Sequence, residues 1–181
     1  VAASSDDEAV LSVVAANIAN IKDEGITNLT VTSEQTATEV KDLLTKVADA
    51  SAKADLSDMS PEQVAEVVAA ADKIAADGLT VGVGSTVELT PAQIADFVEA
   101  GFAEIVGTAA TKDGETGGSI TIKAASSAEL DLDAVAAGGD GGFADASAGT
   151  LTLDIASGAT LTVSGENTSD AVAVTGAGTL L

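Results

Sequence analysis

Aspartate and glutamate are the residues of this chain whose chemistry is most accessible, because the usual catalytic groups are missing. The sequence contains 29 acidic residues but no His and no Cys. An imidazole general base and a thiol nucleophile are therefore excluded. Two carboxylates could still act as acid and base, but in so acidic a chain such pairs also arise by chance. We therefore predict that the protein is not an enzyme.

Calcium binding is the chemistry that these acids favour, since Ca²⁺ takes oxygen ligands and acidic, glycine-rich loops can supply them. No loop matches the EF-hand pattern. The run from Gly138 to Gly142 is loosely similar to the Gly-Gly-x-Gly-x-Asp calcium nonapeptide, without a tandem copy. The alternative is that these acids form a solvated surface with no specific site. The candidate calcium ligands are Asp113, Glu115, Asp131, Asp133, Asp140 and Asp145.

The charge balance limits the partners of the chain. Seven basic residues, all Lys, oppose the 29 acids, and the formal net charge is −22. Nucleic acid and anionic membrane surfaces both repel such a chain. No apolar run approaches the roughly 20 residues that a membrane helix needs. We therefore expect no nucleic-acid partner and no membrane insertion.

Helix-start signals recur in the first part of the chain. Ser60 and Thr90 are each followed by Pro and then by apolar residues at helical spacing, so each is predicted to cap a helix. A weaker copy aligns Thr32 with Ser60, and Leu11-Ser12 leads into another helical pattern. Short apolar runs between these segments predict strands. We expect helices that begin near Ser12, Ser33, Ser60 and Thr90.

The pattern changes beyond a turn-like run from Lys112 to Gly118. Apolar residues then alternate with small or polar ones, as in Leu151, Leu153 and Ile155, which predicts strands. We expect a strand–helix α/β repeat domain in residues 1–110 and an all-β domain in residues 111–181, either a sandwich or β-solenoid-like. A plain α/β domain with one duplicated unit is the alternative reading of the repeats.

The segments Val14–Ile21 before Gly25, and Leu89–Ile94 before Gly101, resemble repeats of large, acidic, Cys-free bacterial surface proteins. These include adhesins exported by type I secretion and surface-layer-like proteins. The resemblance covers about residues 10 to 107. It implies an extended structural or adhesive role at the cell exterior, often calcium-dependent. The tandem calcium nonapeptides of that group are missing here.

We therefore expect an extracellular structural or adhesive protein, a subunit or segment of an adhesin, surface layer or filament. The alternative is a ligand- or carbohydrate-binding module of a secreted protein, which the aromatic content of 2% disfavours. The strand-like run from Ala171 to Leu181 has neither charge nor Pro to block its edge. We expect it to join an identical subunit or an adjacent repeat by strand addition, or to continue in a longer chain.

Overall fold

The computed structural model describes residue 26 and residues 29–102, 105–112, 115–137, 149–165 and 172–181. In these ranges the chain is mixed α/β, with twelve strands and three α-helices. Every pairing between the described strands is parallel. The predicted helix near Ser12 and the candidate ligands Asp113, Asp140 and Asp145 lie outside the described residues.

The helices and strands are short, as the turn-rich sequence indicates. The helices are α1 (Ala37–Leu44), α2 (Pro61–Ala69) and α3 (Pro91–Glu99). The strands are β1 (Thr30–Val31), β2 (Ala52–Asp55), β3 (Ile74–Val81), β4 (Thr86–Leu89), β5 (Ile105–Gly107), β6 (Ser119–Ala124), β7 (Ala128–Asp131), β8 (Val135–Ala137), β9 (Leu151–Ile155), β10 (Thr160–Ser164), β11 (Val172–Gly176) and β12 (Thr179–Leu180).

The strands form three sheets, and the chain visits them in a recurring order. The first sheet has the strand order β1-β2-β3-β5-β8, the second β4-β6-β9-β11 and the third β7-β10-β12. From β5 to β10 the chain runs twice from the first sheet to the second and then to the third, and the next described strands, β11 and β12, belong to the second and third sheets. We call the stretch that begins at one strand of the first sheet and ends before the next such strand a coil, and we count β11 with β12 as the last coil. Each coil pairs its strands with those of the coil before it.

The helices occupy the place of the third sheet in the earlier coils. The first two described coils contain one strand and one helix each, and the next contains β3, β4 and α3. Helix α1 packs against α2, α2 against α3, and α3 against β7. The third layer of the molecule is therefore helical at one end and a parallel sheet at the other.

Each of the three helices begins with a reciprocal capping box. The backbone N–H of Ser60 donates to Gln63 Oε1 at 2.7 Å, and that of Thr90 donates to Gln93 Oε1 at 2.9 Å. In each case the cap hydroxyl accepts the backbone N–H of the Gln, so two groups that a helix end leaves unpaired are satisfied. The helices predicted near Ser60 and Thr90 are confirmed in type and position.

The helix predicted near Ser33 begins later, at Ala37, with Thr36 as its cap. Two similar motifs compete in this stretch. Thr32 and Gln35 form a turn in which the Thr32 N–H donates to Gln35 Oε1 at 2.8 Å. Only Thr36 stands at the right distance before the buried helical positions Val40, Leu43 and Leu44. The alignment of Thr32 with Ser60 was therefore wrong by four residues, since Thr36 is the equivalent cap.

Aliphatic side chains stack in register through the interior. Val87 of β4 pairs with Ile120 of β6, which pairs in turn with Leu151 of β9. All three are at most 1% exposed. Stacking like residues on like residues fills the core with small side chains without leaving an irregular gap.

The sheets continue across the predicted domain boundary near residue 110, because strands before it pair with strands after it. Strand β5 lies before it and pairs with β8 beyond it, and β4 pairs likewise with β6. One cluster of buried apolar residues extends from Leu29 to Leu161. What changes near the boundary is the third layer, where α3 is followed by β7.

Glycines occupy the corner between the first and second sheets, where successive coils touch backbone to backbone. A Cβ on Gly118 would collide with the carbonyl oxygen of Val81, and one on Gly149 would collide with that of Gly118. The Gly118 N–H donates to the Thr108 carbonyl at 2.8 Å, and the Thr108 N–H donates to that of Val81 at 2.8 Å. A larger residue would have to push the coils apart.

We predict that Gly118→Ala destabilises the protein far more than Gly158→Ala. The added methyl group of Gly118→Ala meets backbone that cannot move aside, at a cost of about 3 kcal/mol. Gly158 has φ +83° and open space around it, so its substitution costs only backbone strain, about 1 kcal/mol. Urea unfolding of both variants measures the difference. Equal losses of stability would contradict the close contact of coils at this corner.

Candidate functional site

Asp131 and Asp133 are two of the predicted calcium ligands, and the structure brings them together. Asp131 ends β7, and Asp133 lies in the 3-10 turn Leu132–Ala134 that follows. The Asp133 N–H donates to Asp131 Oδ1 at 3.1 Å. A Cβ on Gly165 would lie 2.8 Å from Asp131 Oδ1 and 2.9 Å from Asp133 Oδ1. Both carboxylates therefore face the end of β10 in the next coil.

Glu115 lies in a different loop, between β5 and β6, where its Oε1 is 3.6 Å from Lys112 Nζ. Within the described ranges, no group of three or more Asp, Glu, His or Cys side chains lies close enough together to hold a metal ion. Ca²⁺ takes six to eight oxygen ligands. Asp131 and Asp133 could supply only part of that number, and the remaining ligands would be backbone carbonyls, water or other acids.

Only a few of the acidic side chains in the described part of the chain take part in ion pairs. Lys123 Nζ lies 2.7 Å from Glu88 Oε1 and so joins the neighbouring strands β6 and β4. The side-chain hydrogen bond from Lys73 to Asp49 raises the pKa of Lys73 above its ordinary value of 10.5, and the charges of Asp49 and Asp72 add to this effect. The net charge of −22 is what remains after all seven Lys are counted against the 29 acids, and it sets up a negative field around the molecule.

The last described coil has open strand edges. Strand β11 pairs with β9 and β12 with β10, and neither has a partner on its other side among the residues that the structure describes. Val174, Leu180 and Leu181 are 51%, 38% and 69% exposed. The strands predicted in the run from Ala171 to Leu181 are present as β11 and β12, with an apolar surface beside unpaired backbone.

A shallow apolar cleft lies between α3 and β7, with a volume of about 280 Å³. Ile94 and Leu130 are buried in its floor, and Val98 forms part of its wall. Helical spacing groups Val98 with the buried residues Ile94 and Phe97, yet Val98 is 48% exposed. Sequence reasoning missed this cleft, because nothing in the pattern of α3 shows that a strand rather than another helix packs beside it.

Comparison with known proteins adds no relative: no family model, no curated protein and no solved structure matches the chain. Among the described helices none is long and apolar enough to cross a membrane. What bears on function is thus the charge of the chain, its parallel sheets, its open edges and the cleft.

Proposed function

We propose that this chain is a subunit or segment of an extracellular structural or adhesive assembly, such as an adhesin, a surface layer or a filament, and that it is not an enzyme. The observation that carries the proposal is the last coil, in which open parallel edges lie beside the exposed side chains of Val174, Leu180 and Leu181. A soluble monomer usually blocks such an edge with charge or Pro. Between Val172 and Leu181 there is neither.

The fold in this proposal is a β-solenoid that begins with strand–helix repeats. Sandwich sheets are antiparallel, whereas all the described strand pairs are parallel. In a solenoid each repeat contacts only its neighbours, so the array can be extended at its ends. The recurring capping boxes of α1, α2 and α3 support the repeat interpretation.

Self-association follows from the same edges. A strand from an identical subunit, or from an adjacent repeat, would add in parallel to β11 or β12 and satisfy their free backbone groups. Burial of the exposed valine and leucines would contribute most of the free energy, since removing apolar surface from water is what chiefly drives protein association. The high negative charge opposes assembly, and salt outside the cell weakens that repulsion.

We predict that Val174→Lys combined with Leu180→Lys abolishes self-association. Two charges would then lie on the edge of the last coil, which is how natural proteins protect edge strands. Sedimentation velocity over a range of concentrations, with electron microscopy of the same samples, measures assembly. Deletion of Val172 to Leu181 should have the same effect and leave the helical content unchanged.

Val83→Lys combined with Val98→Lys is the matched control, because both valines are exposed, at 37% and 48%, but lie in the turn between β3 and β4 and on α3. It should assemble as the unmodified chain does. A wild-type protein that stays monomeric and dispersed at high concentration would contradict the proposal, and so would normal assembly of the truncated chain.

Calcium belongs to the proposal as a stabilising ion at the Asp131–Asp133 turn. We predict that calcium raises the melting temperature above that in magnesium at equal ionic strength, since Ca²⁺ accepts irregular oxygen sites more readily than Mg²⁺. Asp131→Asn with Asp133→Asn should remove the difference. Glu62→Gln with Asp96→Asn changes the charge equally elsewhere and should keep it. Equal melting temperatures of the wild type in both ions would mean screening alone.

A further inference from the structure

The cleft between α3 and β7 is a surface that the proposed assembly does not use. It lies on the side of the third layer, where helices give way to strands, and not on the open edges of the last coil. A helix is about 10 Å wide, and neighbouring strands are about 4.8 Å apart. A strand that follows a helix in one layer therefore leaves a step, and the cleft occupies this step.

The wall of the cleft contains an apolar side chain that the fold leaves partly uncovered. Val98 on the last turn of α3 is 48% exposed, and Ala95 beside it is exposed too. The floor is formed by buried residues, among them Pro91, Ile94 and Leu130. At about 280 Å³ the cleft lies just below the range of pockets that enclose a drug-sized molecule, about 300–1,000 Å³. It suits one large apolar side chain better than a whole small ligand.

The rim of the cleft is negatively charged. Glu99, Glu129 and Asp131 all line it and all are exposed, and no Lys is among the lining residues. In the part of the chain that the structure describes, none of these three acids takes part in an ion pair. The apolar floor and the acidic rim together select for a ligand that is apolar at its centre and positive at its flanks.

We propose that this cleft binds a cationic, amphipathic peptide segment of a partner protein. One aliphatic side chain of the segment enters between Val98 and Leu130, and flanking Lys or Arg residues pair with the rim carboxylates. A second copy of this chain does not fit this description, since it carries seven Lys against 29 acids. The cleft does not use the open edges of the last coil, so this site and the proposed assembly can fail separately. Asp131 belongs both to the rim and to the proposed calcium turn, so peptide binding is measured without calcium.

The test uses the full chain and a fluorescent peptide Lys-Lys-Leu-Lys-Lys in about 50 mM salt, where exposed charges are weakly screened. Fluorescence anisotropy gives the dissociation constant, and amide chemical shifts locate the contact. We expect shifts confined to α3 and to residues 129–134. The peptide Lys-Lys-Ala-Lys-Lys should bind about tenfold more weakly, because it buries less apolar area. Glu-Glu-Leu-Glu-Glu should not bind.

Two variants of the protein separate the cleft from general attraction to a negative surface. Val98→Lys and Glu129→Lys should each weaken binding about tenfold. Asp96→Lys changes the charge as much as Glu129→Lys does and lies on α3, but Asp96 does not line the cleft, so it should weaken binding less than twofold. All three positions are exposed, and thermal melts check that each variant folds. Equal weakening by Asp96→Lys, or equal affinity for the leucine and alanine peptides, would overturn the proposal.

Discussion

Parallel backbone pairing between successive coils is the constraint on which the rest of the structure depends. Each strand must lie one strand spacing, about 4.8 Å, from its equivalent in the coil before. At the corners that spacing leaves no room for a side chain, which is why Gly107, Gly118 and Gly149 meet there. Along the strands the same spacing places Val87, Ile120 and Leu151 in one buried stack. Small aliphatic side chains thus suffice for the core because the backbone is regular.

The helices obey this constraint through their caps. Gln63 closes the capping box of α2 and also donates from Nε2 to the carbonyl of Ser33 at 3.2 Å and to that of Gln35. It is the one polar residue among the buried residues described, and these bonds satisfy it, as a buried amide requires. The Gln63 side chain therefore caps the start of α2 and also binds the turn that precedes α1. Coils with a helix in the third layer and coils with a strand there can follow each other, because both kinds contribute a strand to the first sheet.

Local signals in the sequence were enough to predict much of this fold. The hydroxyl–Pro pairs at Ser60 and Thr90 predicted two helix starts correctly, and alternation at Leu151 to Ile155 predicted β9. The cap of α1 was predicted at Thr32 but is Thr36, because two successive Thr-x-x-Gln/Glu motifs satisfy the same local rule and only packing decides between them. Parallel pairing could not be predicted, since the alternation of apolar residues is the same in a sandwich and in a solenoid.

The cleft exists because a strand packs beside α3, and the sequence of α3 does not indicate which element packs there. Of the six candidate calcium ligands, sequence reasoning could not tell that Asp131 and Asp133 face the next coil across Gly165.

Stacking of the coils in parallel register can be measured directly by electron paramagnetic resonance. The chain has no Cys, so Glu88→Cys with Thr152→Cys gives two defined positions for spin labels. Glu88 pairs with Thr121, which pairs with Thr152, so the two labelled backbones should be about 10 Å apart, two strand spacings. Strong dipolar broadening in the doubly labelled protein, missing from the two single variants, is the result that the stacked coils predict. A doubly labelled spectrum equal to the sum of the single-label spectra would contradict them.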